Sequence, residues 1–312
     1  MLTQIDVVFG NELGEQALAL PILGVTPKES LLIRKVTGLN PPDRDLFIGE
    51  YARDGGNYQG SRVGNRNVVM TLDLNPNPAL GETVSGLRDL LYKTFMDPLV
   101  DADHVELVLH DDDGRLRNLY GYTEKLETEI FDIETMAQVS MICPDPFIRD
   151  VSSTVLTNSG GTWVTVPFVY GGTAETGFEA MIYFSVPSGT LTLKNNAQKM
   201  VLTHSFAATS AVYINTNRGS RDIRLATQSV VDAYIAANPT LTLTEVWANL
   251  VAAGSTTPLI GKLSPDSPWI ELHSQTNKMT VYGLVEPNPP TTTGDLVAGV
   301  KTLTYRASYW GV

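Results

Sequence analysis

Alternating apolar and polar residues mark short strands along the first half of the chain. In the segment HVELVLH at 104–110, Val105, Leu107 and Leu109 recur at every second position and predict a strand. Residues 111–114 predict a turn, and residues 115–131 predict a returning strand. Further strands are predicted at 1–16, 29–37, 67–74 and 135–142. Because short turns join several of these strands, the pattern predicts a meander whose sheet is mainly antiparallel.

One helix interrupts this pattern at residues 84–95. Its apolar residues recur at helical spacing and form one face: Val84, Leu87, Leu90, Leu91 and Phe95. Thr83 is the predicted N-cap, and Asp97-Pro98 is a predicted stop. By contrast, residues 51–67 are polar and glycine-rich and have too little apolar surface to pack alone, which predicts a long loop or arm.

A proline-rich junction divides the chain. Two prolines in the sequence Cys143-Pro144-Asp145-Pro146-Phe147 end the strand before them and stiffen the residues after it. We therefore predict a domain boundary at residue 148, with domains at 1–148 and 149–312. A chain of 312 residues is long for one hydrophobic core, which also favours two domains.

The second domain is predicted to be a β-sandwich, because short strands succeed one another at close spacing. These strands are predicted at 162–169, 178–187, 189–194, 198–206, 211–215, 258–263, 269–273, 277–285 and 301–312. Two helices are predicted within 228–253, where Thr242 and Glu245 form a capping box for the second. Each helix has one apolar face, so we expect the pair to be an insertion on the rim of the sandwich. A docking site for another protein is the alternative interpretation of the pair.

Charge and composition restrict the classes of function. The net charge of −12, from 34 acidic and 22 basic residues, disfavours a nucleic-acid clamp because acidic surface repels phosphate, although DNA could slide past such a surface. No apolar run is long enough to span a membrane, and the N-terminus lacks the pattern of a signal peptide. The single cysteine, Cys143, excludes an internal disulfide and is interpreted as a buried core residue.

Residues that could support catalysis or metal binding do not form a recognisable set. Asp111, Asp112 and Asp113 precede Gly114 without the ligand spacing of a calcium loop, so a hairpin turn is favoured. The four histidines are scattered and predict no zinc site. No nucleophile elbow or phosphate-binding loop occurs. We therefore predict no catalytic residues, no cofactor and no metal, and a protein that is not an enzyme.

Aromatic residues of the second domain leave one binding function open. They could line a sugar-binding groove of a host-attachment module, while packing in the core or on a sheet face is the alternative. The residues concerned are Trp163, Phe168, Tyr170, Phe178, Tyr183, Tyr213 and Trp269.

Several segments resemble the distal tail proteins of siphophages. GYTEKLETEIF and MAQVSMICPDPFI, within 121–148, resemble that family's strands and its proline junction between two domains. Residues 34–76 resemble its first strands and extended belt loop, and GLRDLLYKTF resembles its helix. Later segments resemble strands of its C-terminal galectin-like sandwich: VYINTNRGSRDIRL, SPWIELHSQTNKMTVYG and YRASYWGV. The helices at 228–253 have no counterpart in the family pattern, and Ser274-Gln275 stands where the family often has Pro-Gly.

The resemblance implies a structural role in the virion. It implies a tail-tube-like first domain with a belt loop, and a ring, usually a hexamer, at the tip of the tail. The ring would join the tail-tube protein to the tail-tip hub and give receptor-binding or side-fibre proteins a platform. Assembly would take place in the host cytoplasm, and DNA would pass through the ring without specific binding.

The arm at 51–67 is the predicted subunit contact of such a ring. Tyrosine and arginine are enriched where proteins bind one another. The candidate contact residues are Tyr51, Arg53, Tyr58, Arg62 and Arg66. A surface loop without contacts is the alternative. Acidic side chains are expected on the inner wall of the ring, where they would repel DNA phosphates, or else they only make the outer surface soluble.

Overall fold

The chain consists mainly of β-strands in antiparallel sheets, which confirms the predicted fold class. The structure, a computed structural model, describes residues 1–11, 14–22, 30–50, 56–96, 104–128, 135–157, 165–274, 276–282 and 298–312. The chain divides into two compact units. The first consists of Met1–Ser152 and Ser308–Val312, and the second of Ser153–Ala307.

The first unit contains one large antiparallel sheet in the order β2-β1-β7-β8-β9-β6-β3, and β10 and β21 extend it beside β8. A parallel bridge from Ile22 to Ile33 links the chain just after β2 to β3 at the opposite edge. The strands are β1 Leu2–Asn11, β2 Gly14–Pro21, β3 Leu31–Thr37, β4 Arg44–Glu50, β5 Gly56–Val63, β6 Arg66–Leu74, β7 Val105–Asp111, β8 Leu116–Thr128, β9 Met136–Cys143, β10 Ile148–Asp150 and β21 Ser308–Tyr309.

The predicted helix is α1, Val84–Met96. Leu87, Leu91 and Phe95 are buried in the same core as the alternating residues of the sheet. The Thr83 hydroxyl accepts a hydrogen bond from the Gly86 amide at 3.0 Å, so Thr83 caps the helix as predicted. The hydrophobic pattern therefore identified the helix and most of the face that it buries, although Leu90, predicted to lie on that face, is 37% exposed.

Two predictions about the first half were wrong. Residues 1–16 were expected to be a single strand, but Leu2–Asn11 form β1, and β2, which pairs antiparallel with β1, begins at Gly14. Residues 51–67 were expected to be a loop or arm, but 56–63 form β5, which pairs with β4, and Arg66 begins β6. Residues 51–55 lie outside the described ranges. Strand β4 lacks a regular apolar alternation because Leu46, Phe47 and Ile48 are consecutive and so fall on both faces.

The second unit is a sandwich of a six-stranded sheet, in the order β11-β20-β13-β16-β17-β18, and a four-stranded sheet, β12-β19-β14-β15. Phe184 of the first sheet stacks on Phe206 of the second, with ring centroids 4.5 Å apart. The strands are β11 Thr154–Thr157, β12 Thr165–Val169, β13 Glu179–Phe184, β14 Ser188–Asn195, β15 Gln198–Phe206, β16 Ser210–Asn215, β17 Asp222–Thr227, β18 Thr257–Pro258, β19 Thr276–Tyr282 and β20 Ala298–Tyr305.

Both predicted helices are present, as α2 Gln228–Ala237 and α3 Leu243–Ala252, and the capping box of Thr242 and Glu245 is formed. Their position differs from the prediction. Instead of lying on the rim, they cover the outer face of the six-stranded sheet and share a buried cluster with it. Because β13 and β16 are then covered on both sides, nearly every residue of these two strands is buried.

Other boundaries also differ from the sequence prediction. Of the predicted strand 258–263, only Pro258 lies in a strand, and a 3-10 helix comes next at Ile260–Lys262. In 269–273 the structure has a single bridge, from Leu272 to Thr176. The predicted final strand splits, because β20 belongs to the second unit while Ser308–Val312 belongs to the first. The first unit therefore extends to Ser152 and includes the last five residues, whereas a simple boundary at 148 was predicted.

A half-buried carboxyl on β13 gives a pH-dependent prediction. Burial raises the pKa of Glu179, although the Thr244 hydroxyl donates a hydrogen bond to it at 2.6 Å. The folded chain therefore keeps this proton at a pH where the unfolded chain has lost it, so stability falls as pH rises above the ordinary carboxyl value. Glu179→Gln should remove that part of the fall, which begins at about pH 4.5, when stability is measured by urea unfolding. Asp266→Asn, at an exposed position, is the control and should leave the slope unchanged.

Candidate assembly interface

An exposed apolar hairpin projects from the first unit. Strands β4 and β5 form a sheet of two strands, which pairs with no other strand among the described residues. Leu46, Phe47, Ile48 and Tyr58 are 59%, 50%, 59% and 61% exposed. Consecutive residues of a strand point to opposite faces, so both faces of the hairpin carry apolar side chains in contact with solvent.

The register of the hairpin groups these side chains. Ile48 lies opposite Tyr58, and Leu46, two residues before Ile48, is on the same face. The register of the two strands shifts at a β-bulge between Phe47 and Ile48. Phe47 pairs there with Gly60, whose φ of +148° favours glycine. An isolated two-stranded hairpin is only marginally stable in water. This hairpin therefore has the composition of a segment that another protein surface covers.

The base of the hairpin is fixed firmly to the sheet. Gly38 has a φ of +87°, and a Cβ there would lie 1.8 Å from the Asn67 carbonyl oxygen, so only glycine fits. The Arg44 guanidinium lies 4.3 Å from the centre of the Trp310 ring. The amide of Val312 donates to the Leu39 carbonyl at 3.4 Å. Leu46, Phe47, Ile48 and Tyr58 are therefore exposed on a hairpin whose base is held between β6 and the residues after β21.

Arg66 is a buried structural residue and cannot contact a neighbouring subunit, which corrects its predicted role. It is 2% exposed, and its guanidinium donates to four main-chain carbonyl oxygens. These belong to Gly38, Asn40, Pro146 and Trp310, at 2.7, 2.8, 2.7 and 2.7 Å. Arg66 therefore joins the hairpin base, the proline junction and the last residues of the chain.

The structure describes two of the other four predicted contact residues. Tyr58 and Arg62 are exposed on β5, where a neighbouring molecule could reach them. Tyr51 and Arg53 lie outside the described residues. Sequence reasoning missed the apolar residues of β4. The signal that could have identified them is the run Leu46-Phe47-Ile48 between polar segments.

The polar clusters have structural explanations. Asp111 pairs with Arg117, Gly114 has a φ of +80°, and its amide donates to the Asp111 carbonyl at 3.1 Å, which confirms the predicted turn. Burial raises the pKa of the Cys143 thiol to about 11, so it is protonated at neutral pH. Among the described residues, no three His, Cys, Asp or Glu side chains could together hold a metal ion. In the same residues, no helix is long and apolar enough to cross a membrane.

The aromatic residues considered for sugar binding are mostly in the core. Tyr170, Phe178, Tyr183 and Tyr213 are at most 6% exposed, so they cannot stack on a sugar. Phe168 stacks on a neighbouring tyrosine, and Arg221 lies 5.4 Å from the centre of the Trp269 ring. Trp163 lies outside the described residues. These positions favour packing over a sugar-binding groove.

Comparison with known proteins gives a match at the level of the fold. No protein-family model matches the chain, and no curated protein matches it. Among solved structures, the Dit protein of phage SPP1, a paradigm of the hub adsorption apparatus in phages that infect Gram-positive bacteria, matches with a TM-score of 0.56. The two sequences are 14% identical, and the match covers 89% of this chain and 93% of the SPP1 chain.

Two structures of the phage P2 baseplate in its activated conformation also match. The form with Ca has a TM-score of 0.43 at 10% identity and covers 98% of both chains. The form with Sr has a TM-score of 0.38 at 10% identity and covers 97% of this chain and 98% of the other. Both scores are below 0.5, so the comparison depends on the SPP1 protein. This chain therefore shares the fold of the SPP1 Dit protein along most of its length.

Proposed function

We propose that this protein is a structural, non-enzymatic component of a phage tail tip that assembles with copies of itself into a ring. The observation that carries the proposal is the exposed apolar hairpin, because Leu46, Phe47 and Ile48 need a covering surface. The fold shared with the SPP1 Dit protein supports a place at the tail tip. In this proposal the ring is hexameric, joins the tail tube to the hub and gives side proteins a platform.

The distribution of charge supports a ring through which DNA passes. The first unit contains 25 acidic and 13 basic residues, whereas the second contains nine of each, so the whole net charge of −12 belongs to the first unit. If this unit forms the ring, its acidic side chains would repel DNA phosphates and let the DNA pass without binding.

The role of the hairpin in assembly can be tested with substitutions that leave its strands folded. Replacing Leu46, Phe47 and Ile48 by threonine keeps the strand propensity and removes the exposed apolar surface. Because apolar side chains at the centre of an interface carry most of its binding energy, the concentration for half-maximal assembly should rise at least about tenfold. Sedimentation velocity measures assembly, and circular dichroism checks the fold.

The matched control changes exposed apolar residues outside the hairpin. Val155→Thr and Val169→Thr alter two side chains of the second unit that are 55% and 73% exposed. This double variant should assemble as the wild type does. The hairpin has no part in assembly if the threonine variant and the control assemble alike.

A further inference from the structure

A short segment after β20 contacts the base of the exposed hairpin. This segment, Ser308–Val312, belongs to the first unit, and we call it the strap. It begins with β21, which pairs with β10 so that Tyr309 lies opposite Ile148. The rest of the strap contacts residues 39–44, which lead into β4. The strap therefore connects the sheet of the first unit to the start of the hairpin.

Trp310 makes the main side-chain contacts of the strap. The guanidinium of Arg44, the first residue of β4, lies over its ring, 4.3 Å from the ring centre, where the ring electrons attract a cation. The same ring meets Phe147 of the proline junction edge-on, with centroids 5.0 Å apart and an interplanar angle of 62°. The main-chain carbonyl of Trp310 accepts the hydrogen bond from Arg66. Trp310 thus joins the start of β4 to the proline junction.

The next two residues of the strap pack on the chain just before β4. A Cβ at Gly311 would lie 2.9 Å from the Leu39 carbonyl oxygen and 3.1 Å from the Cδ of Pro41. A larger residue at Gly311 would therefore push the two segments apart. The amide of Val312 donates to the same Leu39 carbonyl at 3.4 Å. The strap and the segment before β4 are thus in close backbone contact.

The two ends of the hairpin are supported in different ways. Strand β5 ends at Val63 and leads directly into β6, which pairs with β3 on one side and with β9 on the other. Strand β4 follows residues 38–43, which lie outside any strand. Hydrogen bonds from Arg66 and the contacts of the strap hold this second connection. The sheet therefore fixes one end of the hairpin, and the strap helps to fix the other.

We infer that Trp310 is a positioning residue for assembly, which acts by holding the start of β4 through Arg44. A hairpin held at both ends keeps one direction, whereas a hairpin held only through β6 moves about that end. Ordering a mobile segment when it binds costs affinity, and a segment that is already fixed avoids this cost. The inference rests on the proposed function, because it requires that the hairpin binds another copy of the chain.

The first experiment measures assembly of full-length variants by sedimentation velocity. Trp310→Ala removes the ring but keeps the main-chain carbonyl that Arg66 binds, and it should need at least about tenfold more protein than the wild type for half-maximal assembly. Trp310→Phe keeps an aromatic face for Arg44 and should stay within about threefold of the wild type. The control, Phe168→Ala, removes a half-buried ring of the second unit that stacks on a tyrosine, and should stay within about twofold.

A second pair of variants tests the same contact from the side of the hairpin. Arg44→Met removes the cation at an exposed position, so the core of the first unit is unchanged. It should raise the concentration for half-maximal assembly at least about threefold, and it tests the inference independently of how well Trp310→Ala folds. Arg306→Met, which removes one positive charge at an exposed position of the second unit, is the control and should stay within about twofold.

Amide hydrogen exchange separates positioning of the hairpin from general stabilisation of the first unit. It is measured by mass spectrometry at a protein concentration too low for assembly. In Trp310→Ala the amides of Arg44–Glu50 and Gly56–Val63 should exchange at least about tenfold faster than in the wild type, because a hairpin without support is only marginally stable. The amides of α1, Val84–Met96, should stay within about twofold. Equal acceleration in the hairpin and in α1 would overturn the inference.

Failure of the inference is distinguishable from failure of the proposed function. If the wild type assembles and the Trp310→Ala and Arg44→Met variants assemble equally well, the inference is wrong and the proposed function stands. If the wild type remains a monomer at all concentrations, the proposed function is wrong, and the inference fails with it.

Discussion

Replacing Arg66 by methionine should lower the free energy of unfolding of the first unit by about 3–5 kcal/mol. Methionine has a similar length and no hydrogen-bond donors. The change therefore leaves four carbonyl oxygens without the donor that satisfies them, and buried acceptors without partners are costly. Those carbonyls belong to three separate parts of the chain, so the loss should loosen the hairpin base and the last residues together.

Urea unfolding followed by circular dichroism measures this loss, at a protein concentration too low for assembly. Arg62→Met is the control, because Arg62 is exposed on β5 and its replacement should change the free energy of unfolding by less than about 0.5 kcal/mol. The free energy of unfolding of the Arg66→Lys variant should lie between those of the Arg66→Met and Arg62→Met variants, since lysine keeps the charge but has three donors on a single atom. Equal stability of the Arg66→Met variant and the Arg62→Met control would contradict the structural role of Arg66.

Trp247→Ala should destabilise the second unit by about 3–5 kcal/mol, because it opens a cavity between the helices and the six-stranded sheet. Trp247 is 1% exposed. Its ring stacks on Tyr213 with centroids 5.2 Å apart and an interplanar angle of 16°. Loss of this contact exposes apolar residues of β13 and β16, so we also expect the variant to bind a hydrophobic dye.

Two further substitutions separate cavity formation from other effects. Val251→Ala, on the same helix at a position 36% exposed, should cost less than about 1 kcal/mol. The indole nitrogen of Trp247 is buried without a hydrogen-bond partner among the described residues. Trp247→Phe removes that unsatisfied N–H and keeps the stacking, so it should cost much less than Trp247→Ala. If all three variants unfold at the same urea concentration, the helices do not stabilise the sheet.

The hydrophobic pattern predicted the elements that bury one face. Strand β7 and helix α1 obey this rule, because each has a core side and a solvent side. The helices α2 and α3 were also predicted, but their position on the sheet was not. The signal was in the strands beneath them: the runs EAMIYF and SAVYIN are almost continuously apolar, as in strands that are covered on both faces.

The remaining features could not be predicted, because no local sequence pattern marks them. Arg66 binds main-chain carbonyls, which every residue possesses, so its buried position leaves no trace in the sequence around it. Strand β5 was interpreted as part of a loop or arm and β4 was not predicted, because strand prediction relies on one polar face, and the hairpin that they form has apolar residues on both faces. The predicted contact residues remain a prediction, but they included the buried Arg66 and omitted the exposed Leu46, Phe47 and Ile48.

The pairing of β21 with β10 determines the order in which the two units can be completed during translation. Residues 308–312 leave the ribosome only after the whole of 153–307, which at about 5–20 residues per second delays them by roughly 8–30 s. Until then the Arg66 guanidinium lacks the Trp310 carbonyl, and the base of the hairpin lacks its last support. The surface that we propose for assembly thus becomes fully ordered only when the second unit has been synthesised. We therefore expect shortened chains to assemble into a ring less well than full-length chains.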